Sequence, residues 1–371
     1  MLGCRFRHDE KVTLASIALV ELPAAPSGFF ASDNFSGVHP EYLKAIESAN
    51  HGHVKAYGLD ALTARATELF RDLCDLEVDV LFVFGGTGAN VVALASLLGR
   101  AESILCTSVS HINVDETGAP EKILGVKLAD VLREDGRLVP SDVHDASGAL
   151  GNVHHVQPGV VSLTQATELG TLYSVDQISE VCRAAHGYGM RVHMDGARIA
   201  NAVAALGGTA ETFRLLTFGA GIDALSFGGT KNGMLNAEVV LLRPGLTGGR
   251  AEWLRKQSAQ LPSKMRYVAA QFVHALETGL WLETAANSNA KATELFSALS
   301  DLGSLNLVRP SVNSLYPTLP QPIRSELQRW SFFWDWNPAL DQVRWMTSWD
   351  TTSEDVQLFA QGVRKALTES Q

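Results

Sequence analysis

Short runs of apolar and often β-branched residues alternate with amphipathic segments between about residues 60 and 245. The apolar runs predict strands over residues 78–84, 103–107, 160–164, 190–194, 224–227 and 237–242. Helical periodicity predicts helices over 60–76, 89–98 and 175–186, the last opened by a capping box of Ser174 and Gln177. Strands that alternate with helices are typical of a mostly parallel sheet with helices packed on it, so we expect an α/β fold.

The C-terminal third of the chain has a different pattern. Beyond residue 262 it predicts helices over 264–285 and 290–301, short strands near Ser314, Phe332 and Val343, and a closing helix from Ser353. We therefore divide the chain into an N-terminal arm (1–28), a large α/β domain (29–260) and a small α+β domain (261–371). No Gly-rich or Pro-rich linker marks the boundary near residue 260.

Composition narrows the class of protein. The net charge of −10, from 30 basic and 40 acidic residues, argues against nucleic-acid binding, which depends on clustered Lys and Arg. No apolar run approaches the roughly 18 residues of a membrane span, and the N-terminal arm lacks the features of a secretory signal. The four cysteines are widely spaced, which predicts neither a zinc site nor a disulfide framework. A cytoplasmic enzyme acting on a small molecule fits these features.

A glycine-rich turn, Phe84-Gly-Gly-Thr-Gly-Ala-Asn90, follows a predicted buried strand and opens a predicted helix. Glycines there let the backbone approach an anion, and the free amides of a helix N-terminus attract negative charge. The turn is neither GxGxxG nor a Walker sequence, because Val91 stands where the third glycine belongs and the Walker Lys is absent. It predicts a phosphate cradle or, alternatively, a plain strand-to-helix connection.

Two further strand ends carry charged residues. Asp195 ends the strand of Val192-His-Met-Asp-Gly-Ala-Arg198, at the edge where open α/β sheets bind ligands. Its partner would be a protonated ring nitrogen or a metal, unless the carboxylate only caps the next helix. Lys231 lies in the turn of Ala224-Leu-Ser-Phe-Gly-Gly-Thr-Lys-Asn-Gly233, where burial would lower its pKa and suit it to forming a Schiff base. The alternative is a lysine whose head reaches water.

The order of these three motifs along the chain suits pyridoxal phosphate. The glycine turn would hold the cofactor's phosphate, Asp195 its ring nitrogen and Lys231 its aldehyde. With these motifs the chain resembles the threonine aldolase family of fold-type I pyridoxal-phosphate enzymes, most closely its phenylserine aldolase and low-specificity branch. The resemblance runs from about residue 30 to residue 367. Besides the glycine and lysine turns, the matching segments are residues 31–34, 57–60, 110–121, 164–168, 193–198, 263–266 and 343–347.

The resemblance implies roles for residues around the cofactor. Lys231 would form the Schiff base, Asp195 would hold the ring nitrogen protonated, and His111 would stack on the ring. Gly86 and Thr87 would bind the cofactor phosphate. Arg266 would reach a phosphate from a neighbouring subunit and Tyr57 would cross the same interface, which implies a homo-oligomer, either a dimer or a tetramer.

The resemblance also implies a pocket for the substrate carboxylate, made of Ser32, Arg198 and Arg344; Arg198 would in addition belong to the cofactor site. One departure concerns the proton acceptor: where many threonine aldolases have a second histidine, this chain carries Thr167. A hydroxyl does not accept a proton unaided at neutral pH, so His111, a bound water or Glu168 remain as alternatives.

Several nearby residues have open interpretations. Asp115 and Glu116 would orient His111 or ligate a cation, although solvated loop carboxylates are the favoured interpretation. His154 and His155 lack a neighbouring ligand and are assigned no metal. The aromatic run 330–336 lines the substrate mouth or, as we favour, belongs to the core or a subunit contact.

The predicted activity is reversible cleavage of β-hydroxy-α-amino acids, such as L-threonine, L-allo-threonine and L-phenylserine, to glycine and an aldehyde. The alternatives are another fold-type I enzyme, such as a β-eliminating lyase or a transaminase, and a non-catalytic or dinucleotide-binding α/β protein.

Overall fold

A computed structural model describes residues 21–369, so most of the predicted N-terminal arm lies outside the described residues. Seven strands form one sheet in the order β1-β7-β6-β5-β4-β2-β3. Strand β7 is antiparallel to both of its neighbours, and the other adjacent pairs are parallel. The strands are β1 (Asp79–Val83), β2 (Glu102–Thr107), β3 (Lys127–Val131), β4 (Gln157–Thr164), β5 (Arg191–Gly196), β6 (Ala224–Gly228) and β7 (Glu238–Leu242). The predicted α/β class and its six predicted strands are confirmed.

Helices cover the sheet and build the C-terminal part. They are α1 (Pro40–Ser48), α2 (Ala61–Cys74), α3 (Gly86–Leu97), α4 (His111–Val114), α5 (Ala119–Leu124), α6 (Pro140–Ser147), α7 (Val175–Gly187), α8 (Ile199–Leu206), α9 (Ala210–Leu216), α10 (Ala251–Gln257), α11 (Arg266–Thr278), α12 (Leu280–Leu299), α13 (Gln321–Trp330) and α14 (Ser353–Glu369). The capping box of Ser174 and Gln177 is present at the start of α7, as predicted.

A second, three-stranded sheet lies in the C-terminal part. Its strands are β8 (Ser314–Leu315), β9 (Trp334–Asn337) and β10 (Gln342–Met346), with β10 central and antiparallel to both neighbours. The strand predicted near Phe332 therefore begins two residues later. The predicted helix break between residues 285 and 290 is wrong: helices α11 and α12 meet at Gly279, whose φ of 79° a glycine adopts without strain.

Four hydrophobic clusters are present among the described residues, and two of them are larger than the others. The larger of these two packs against the seven-stranded sheet and includes the rings of Phe70, Phe82 and Phe227, together with residues of α11 and the start of α12. The smaller one joins Phe30 to the C-terminal elements, where Phe30 stacks on Phe359 with ring centroids 4.2 Å apart. The carboxyl ends of β2, β4, β5 and β6 point to one edge of the large sheet. The predicted domain boundary near residue 260 stays a prediction.

Candidate active site

The carboxyl edge of the sheet holds two adjoining cavities. The larger, of about 310 Å³, is lined by residues from the large sheet's turns and from the C-terminal elements, among them Ser32, His111, Thr167, Glu168, Arg198, Lys231, Tyr316, Trp334, Trp336 and Arg344. The smaller, of about 40 Å³, is lined by residues that include Gly86, Asn90, His111, Glu116, Glu168, Asp195, Arg198 and Lys231. His111, Glu168, Arg198 and Lys231 line both, so the cavities form one site.

Asp195 lies buried at the end of β5 in the smaller cavity. Its Oδ1 accepts from the Ala197 amide at 2.9 Å, and its Oδ2 accepts from Asn90 Nδ2 at 2.8 Å. Burial opposes ionisation, but the ammonium of Lys231 and the positive charge of His111 outweigh it and hold the pKa of Asp195 below its usual value. The carboxylate is therefore charged and suited to a cationic partner such as a ring N–H⁺.

Glu116 anchors both Asn90 and His111. Its Oε1 accepts from Asn90 Nδ2 at 2.8 Å and from His111 Nδ1, which lies 2.9 Å away. That hydrogen bond raises the pKa of His111. The favoured interpretation of Glu116 as a solvated loop carboxylate is wrong, because the residue is buried; it orients His111, which was the alternative.

Lys231 follows β6 in a short turn at the centre of the site. Burial and the neighbouring Arg198 guanidinium lower the pKa of the Lys231 ammonium, which favours the neutral, nucleophilic amine. The turn is held from below by buried Glu238, whose two carboxylate oxygens accept from the amides of Gly229 and Thr230, both at 3.3 Å. No sequence motif marks Glu238, so its role in holding the turn is recognised only from this contact in the structure.

Arg198 is fixed by Asp33, a buried residue to which the sequence assigned no role. Arg198 Nε and Nη2 donate to the two Asp33 oxygens at 2.7 and 2.9 Å, so one edge of the guanidinium is already occupied. Arg344 approaches from β10, lies with its Cζ 5.3 Å from the centre of the Trp336 ring, and donates to Ala31 O at 3.3 Å. Arg344 Nε is buried without a hydrogen-bond partner among residues 21–369. Of the two guanidiniums, Arg198 pairs with Asp33, while Arg344 forms no ion pair within residues 21–369, which leaves room for a further anion.

Thr167, which stands where a second histidine was expected, uses its hydroxyl group in contacts within the protein. Thr167 is buried, and its hydroxyl oxygen lies 2.7 Å from that of Thr171. The Thr171 hydroxyl in turn donates to Asp135 O at 2.7 Å. The Thr167 hydroxyl is therefore engaged within the protein. Thr167 lines only the larger of the two cavities, whereas its neighbour Glu168 lines both.

The glycine turn opens α3 beside the smaller cavity. A Cβ added to Gly85 or Gly86 would meet no atom within 4 Å among the described residues, so free space lies in front of the first helical amides. Thr87 is in the first turn of the same twelve-residue helix. An open helix N-terminus, a charged buried carboxylate and a lysine with a lowered pKa fit pyridoxal phosphate at its phosphate, ring nitrogen and aldehyde.

Two residues that the resemblance placed near the cofactor do not line these cavities. Arg266 lines a separate cavity of about 400 Å³, and its Nη1 donates to the carbonyls of His51 and Gly52 at 3.2 and 3.3 Å. Tyr57 is about half exposed, with its ring 5.4 Å from Lys256 Nζ. Neither residue reaches the site of its own chain.

Part of the aromatic run lines the mouth of the larger cavity. Trp334 and Trp336 are in β9 and face it together with Tyr316, whose ring centroid is 5.2 Å from that of Trp336. Trp330 instead stacks on Phe359 in the smaller core, with ring centroids 5.9 Å apart. The interpretation as core is therefore right for Trp330 and wrong for Trp334 and Trp336.

Comparisons with known proteins place the chain in a family. Residues 30–319 match the family model described as beta-eliminating lyase. A low specificity L-threonine aldolase from a Pseudomonas species is 39% identical over 343 residues, which cover 91% of this chain and 98% of that relative. The structure of a Leishmania major threonine aldolase superimposes with a TM-score of 0.85 at 28% identity, covering 92% of this chain and 99% of the other.

A more distant structure shows how far the fold extends. Serine palmitoyltransferase from S. paucimobilis, with bound PLP, superimposes with a TM-score of 0.68 at 15% identity, covering 94% of this chain and 92% of that chain. At that identity the match establishes the shared fold alone. Within residues 21–369, no helix is long and apolar enough to cross a membrane. The chain belongs to the beta-eliminating lyase family and, within it, to the pyridoxal-phosphate-dependent threonine aldolases, which are carbon–carbon lyases of fold type I.

Proposed function

We propose that this protein cleaves the Cα–Cβ bond of β-hydroxy-α-amino acids, among them L-threonine, L-allo-threonine and L-phenylserine, to give glycine and an aldehyde. The observation that carries the proposal is the pairing of Lys231 with two guanidiniums in one cavity. Arg198 is held rigidly by Asp33, and Arg344 keeps a buried, unpartnered Nε. An amino-acid carboxylate supplies the anion that this arrangement lacks.

The residues around that carboxylate set the orientation of the substrate. Arg198 and Arg344 bind the carboxylate, and the Ser32 hydroxyl, which accepts from Asn34 N at 3.2 Å, has its own proton left to donate. Anchoring a substrate at its amine and at its carboxylate fixes the rotation about its N–Cα bond. That rotation determines which bond at Cα stands across the cofactor ring, and hence which bond breaks.

Pyridoxal phosphate, when bound, supplies an electron sink for the pair left at Cα. Lys231 would hold its aldehyde carbon, and Asp195 would keep its ring nitrogen protonated. His111, oriented by Glu116, would lie against the ring face. Gly86 and Thr87 would hold the phosphate at the start of α3.

The aldehyde side of the site favours flat, apolar groups. Trp334, Trp336 and Tyr316 form an aromatic wall along the larger cavity. Aromatic rings prefer offset or edge-to-face contact with other rings, so this wall suits the phenyl group of phenylserine. This contact supports L-phenylserine as a substrate beside L-threonine.

The assembly and location belong to the same proposal. Arg266 and Tyr57 lie outside the site of their own chain, which supports a homo-oligomer in which each completes a neighbour's site. We propose a homotetramer located in the cytoplasm, built from dimers that share their active sites.

Product analysis tests the activity. The purified, cofactor-loaded protein should convert L-threonine to glycine and acetaldehyde, and L-phenylserine to glycine and benzaldehyde. Production of ammonia and an α-keto acid instead would show a β-eliminating enzyme, and production of an α-keto acid without ammonia would show a transaminating one. The visible absorbance of the bound cofactor should change or vanish in Lys231→Ala; a protein that gains no absorbance from pyridoxal phosphate would contradict the proposal.

A further inference from the structure

We propose that Glu168 is the catalytic residue that takes the proton from the substrate's β-hydroxyl group. The inference rests on the proposed aldolase activity and adds to it the identity of the base. Glu168 stands directly after Thr167, four residues beyond Thr164, the last residue of β4. It therefore leaves the sheet at the edge where the other site residues meet.

The contacts of Glu168 leave one of its oxygens available. Oε1 accepts from the His111 amide at 2.7 Å and from the Thr164 hydroxyl at 3.0 Å. Oε2 is buried and has no hydrogen-bond partner within the described part of the chain. Because a carboxylate oxygen without a partner is costly to bury, a substrate hydroxyl that donates to Oε2 would satisfy it.

The position of Glu168 matches where the reacting hydroxyl must be. Glu168, His111, Arg198 and Lys231 line both cavities. The smaller cavity contains Asp195, while the larger leads to Trp334 and Trp336. A substrate whose amine is at Lys231 and whose side chain faces the aromatic wall has its β-carbon at the junction of the two cavities, beside Glu168.

The other candidates are less suited to accept this proton. The Thr167 hydroxyl is bonded to Thr171. His111 is held at Nδ1 by Glu116, and that bond raises the pKa of the imidazole, which favours its protonated form. Asp115 lines only the larger cavity of the two.

The surroundings of Glu168 tune its proton affinity. Burial, with a contribution from the Asp195 charge, raises the pKa of Glu168 to about 7. A base works best when its pKa is near the operating pH, so this carboxyl suits proton transfer at neutral pH. The titratable and charged groups that face it or line its cavities are Cys106, His111, Asp115, Glu116, Tyr173, Asp195, Arg198, Lys231, Tyr316 and Arg344.

The proposed step balances in protons and electrons. The β-hydroxyl O–H bond breaks and its proton forms an O–H bond with the Glu168 carboxylate. The electron pair of that O–H bond becomes the π bond of the aldehyde carbonyl. The Cα–Cβ bond breaks, and its pair stays at Cα, where a proton is added to give glycine.

Glu168→Gln in the cofactor-loaded enzyme tests the proposal, with Glu180→Gln, an exposed residue of α7, as the matched control. We expect kcat for cleavage of L-phenylserine and L-threonine to fall by about 100-fold or more, the usual effect of losing a general base. Glycine binding and exchange of the glycine α-proton in deuterated water need no base for a β-hydroxyl, so both should stay within about threefold of wild type. Glu168→Ala should regain cleavage when formate is added, because formate is a small carboxylate that fits the space left.

The pH dependence of cleavage and an infrared titration of the Glu168 carboxyl test the proposal in two further, independent ways. In wild type, kcat/KM for cleavage should fall as the pH drops below about 7, because the protonated carboxyl accepts no proton, and Glu168→Gln should lack this limb. Infrared titration of wild type should show a protonated carboxyl band with a midpoint near pH 7 that Glu168→Gln removes. Cleavage within about threefold of wild type in Glu168→Gln would overturn the proposal, as would an unchanged pH profile. Absence of cleavage in wild type would instead overturn the proposed function.

Discussion

A chain of buried polar residues joins the cofactor-facing groups of the site. Asn90 Nδ2 donates to both Glu116 and Asp195 at 2.8 Å, and Glu116 also holds His111. Asn90 and Glu116 therefore couple the carboxylate of Asp195 to the imidazole of His111. In a buried network of this kind, the loss of one member leaves the others without partners, so single substitutions act on the whole group.

Replacing Glu116 with Gln tests this coupling. The carboxylate stabilises the protonated imidazole of His111, so its loss should lower the His111 pKa toward or below the ordinary histidine value. The histidine ring signal, followed by NMR against pH and assigned with His111→Phe, measures that change. We also expect kcat for cleavage to fall by about tenfold, because the ring loses its fixed orientation.

Asp115→Asn is the matched control for that experiment. Asp115 is next in sequence and also lines the larger cavity, but Glu116 is the carboxylate bonded to His111. The His111 pKa should therefore stay close to its wild-type value in this variant. An equal change in both variants would show that general charge, and not the hydrogen bond, sets the pKa.

The sequence predicted part of this site and missed the rest for a physical reason. Asp195 and Lys231 stand at strand ends beside glycines, a local pattern that is readable without tertiary contacts. Asp33 and Asn90 act through partners that are distant in sequence: Asp33 meets Arg198 across 165 residues, and Asn90 meets Asp195 across 105. No local pattern distinguishes such a residue from a polar residue at the surface.

At the scale of elements, the apolar runs located six strands, including the edge strand β1, and missed the other edge strand, β3. The sequence of β3, Lys-Leu-Ala-Asp-Val, carries two charges, and only its leucine is buried. Because β3 is largely exposed, it lacks the continuous apolar run that marked the other strands. The break between α11 and α12 depends on a single residue, Gly279, which the helical periodicity of its neighbours concealed.

Strand β9 should control the preference for aromatic substrates. Its residue Trp334 pairs with Arg344 of β10, so the strand that binds the carboxylate also positions the aromatic wall. Trp334→Ala should lower kcat/KM for L-phenylserine by about tenfold, the upper range for loss of an aromatic contact, and change L-threonine cleavage by less than about twofold. Parallel kinetics on the two substrates measure the ratio.

The control for the aromatic wall is Trp253→Ala. Trp253 is a largely exposed tryptophan of α10 and is not among the residues of either active-site cavity. Its removal should leave the substrate ratio unchanged. A Trp334→Ala enzyme that loses both substrates equally would show that Trp334 supports the fold of the site and not its selectivity.

The turns after β5 and β6 require close backbone contact. A Cβ at Gly228 would come within 2.5 Å of Ala197 O, in the segment that carries Asp195 and Arg198. Gly228→Ala should therefore push the lysine turn away from that segment and weaken cofactor binding. We expect the free energy of unfolding to fall by about 1–3 kcal/mol, which a lower melting temperature would show. Gly187→Ala, where an added Cβ meets no atom of the described chain within 4 Å, is the control. Equal cofactor affinity in the two variants would contradict this account.

At the scale of the whole molecule, Arg266 lies outside the two active-site cavities and beside an apolar groove. Arg266 lines one cavity there, and the adjoining groove of about 790 Å³ is lined partly by exposed apolar residues such as Leu43, Phe84 and Leu235. Ser263 and Lys264 line both spaces, so the two are continuous. A continuous apolar surface with a basic residue at its rim is typical of a subunit interface.

Mixing two inactive variants tests whether Arg266 acts in its neighbour's site. Lys231→Ala removes the amine within one chain, and Arg266→Ala removes the group offered to the other chain. If the two residues serve sites on different subunits, a hybrid contains one site with both residues intact. An equal mixture that is dissociated and reassembled should therefore recover cleavage at about a quarter of the sites, measured as kcat per subunit.

The control mixture combines Lys231→Ala with Asp195→Ala, because both residues line the same cavity of one chain. Each site of that hybrid lacks either the lysine or the carboxylate, so no cleavage should return. Recovery in this mixture would mean that subunits exchange whole segments, since only then would Lys231 and Asp195 come together from different chains. An Arg266→Ala enzyme that is fully active alone, or an Arg266→Ala and Lys231→Ala mixture that stays inactive, would place the function of Arg266 within its own chain, where it ties α11 to the carbonyls of His51 and Gly52.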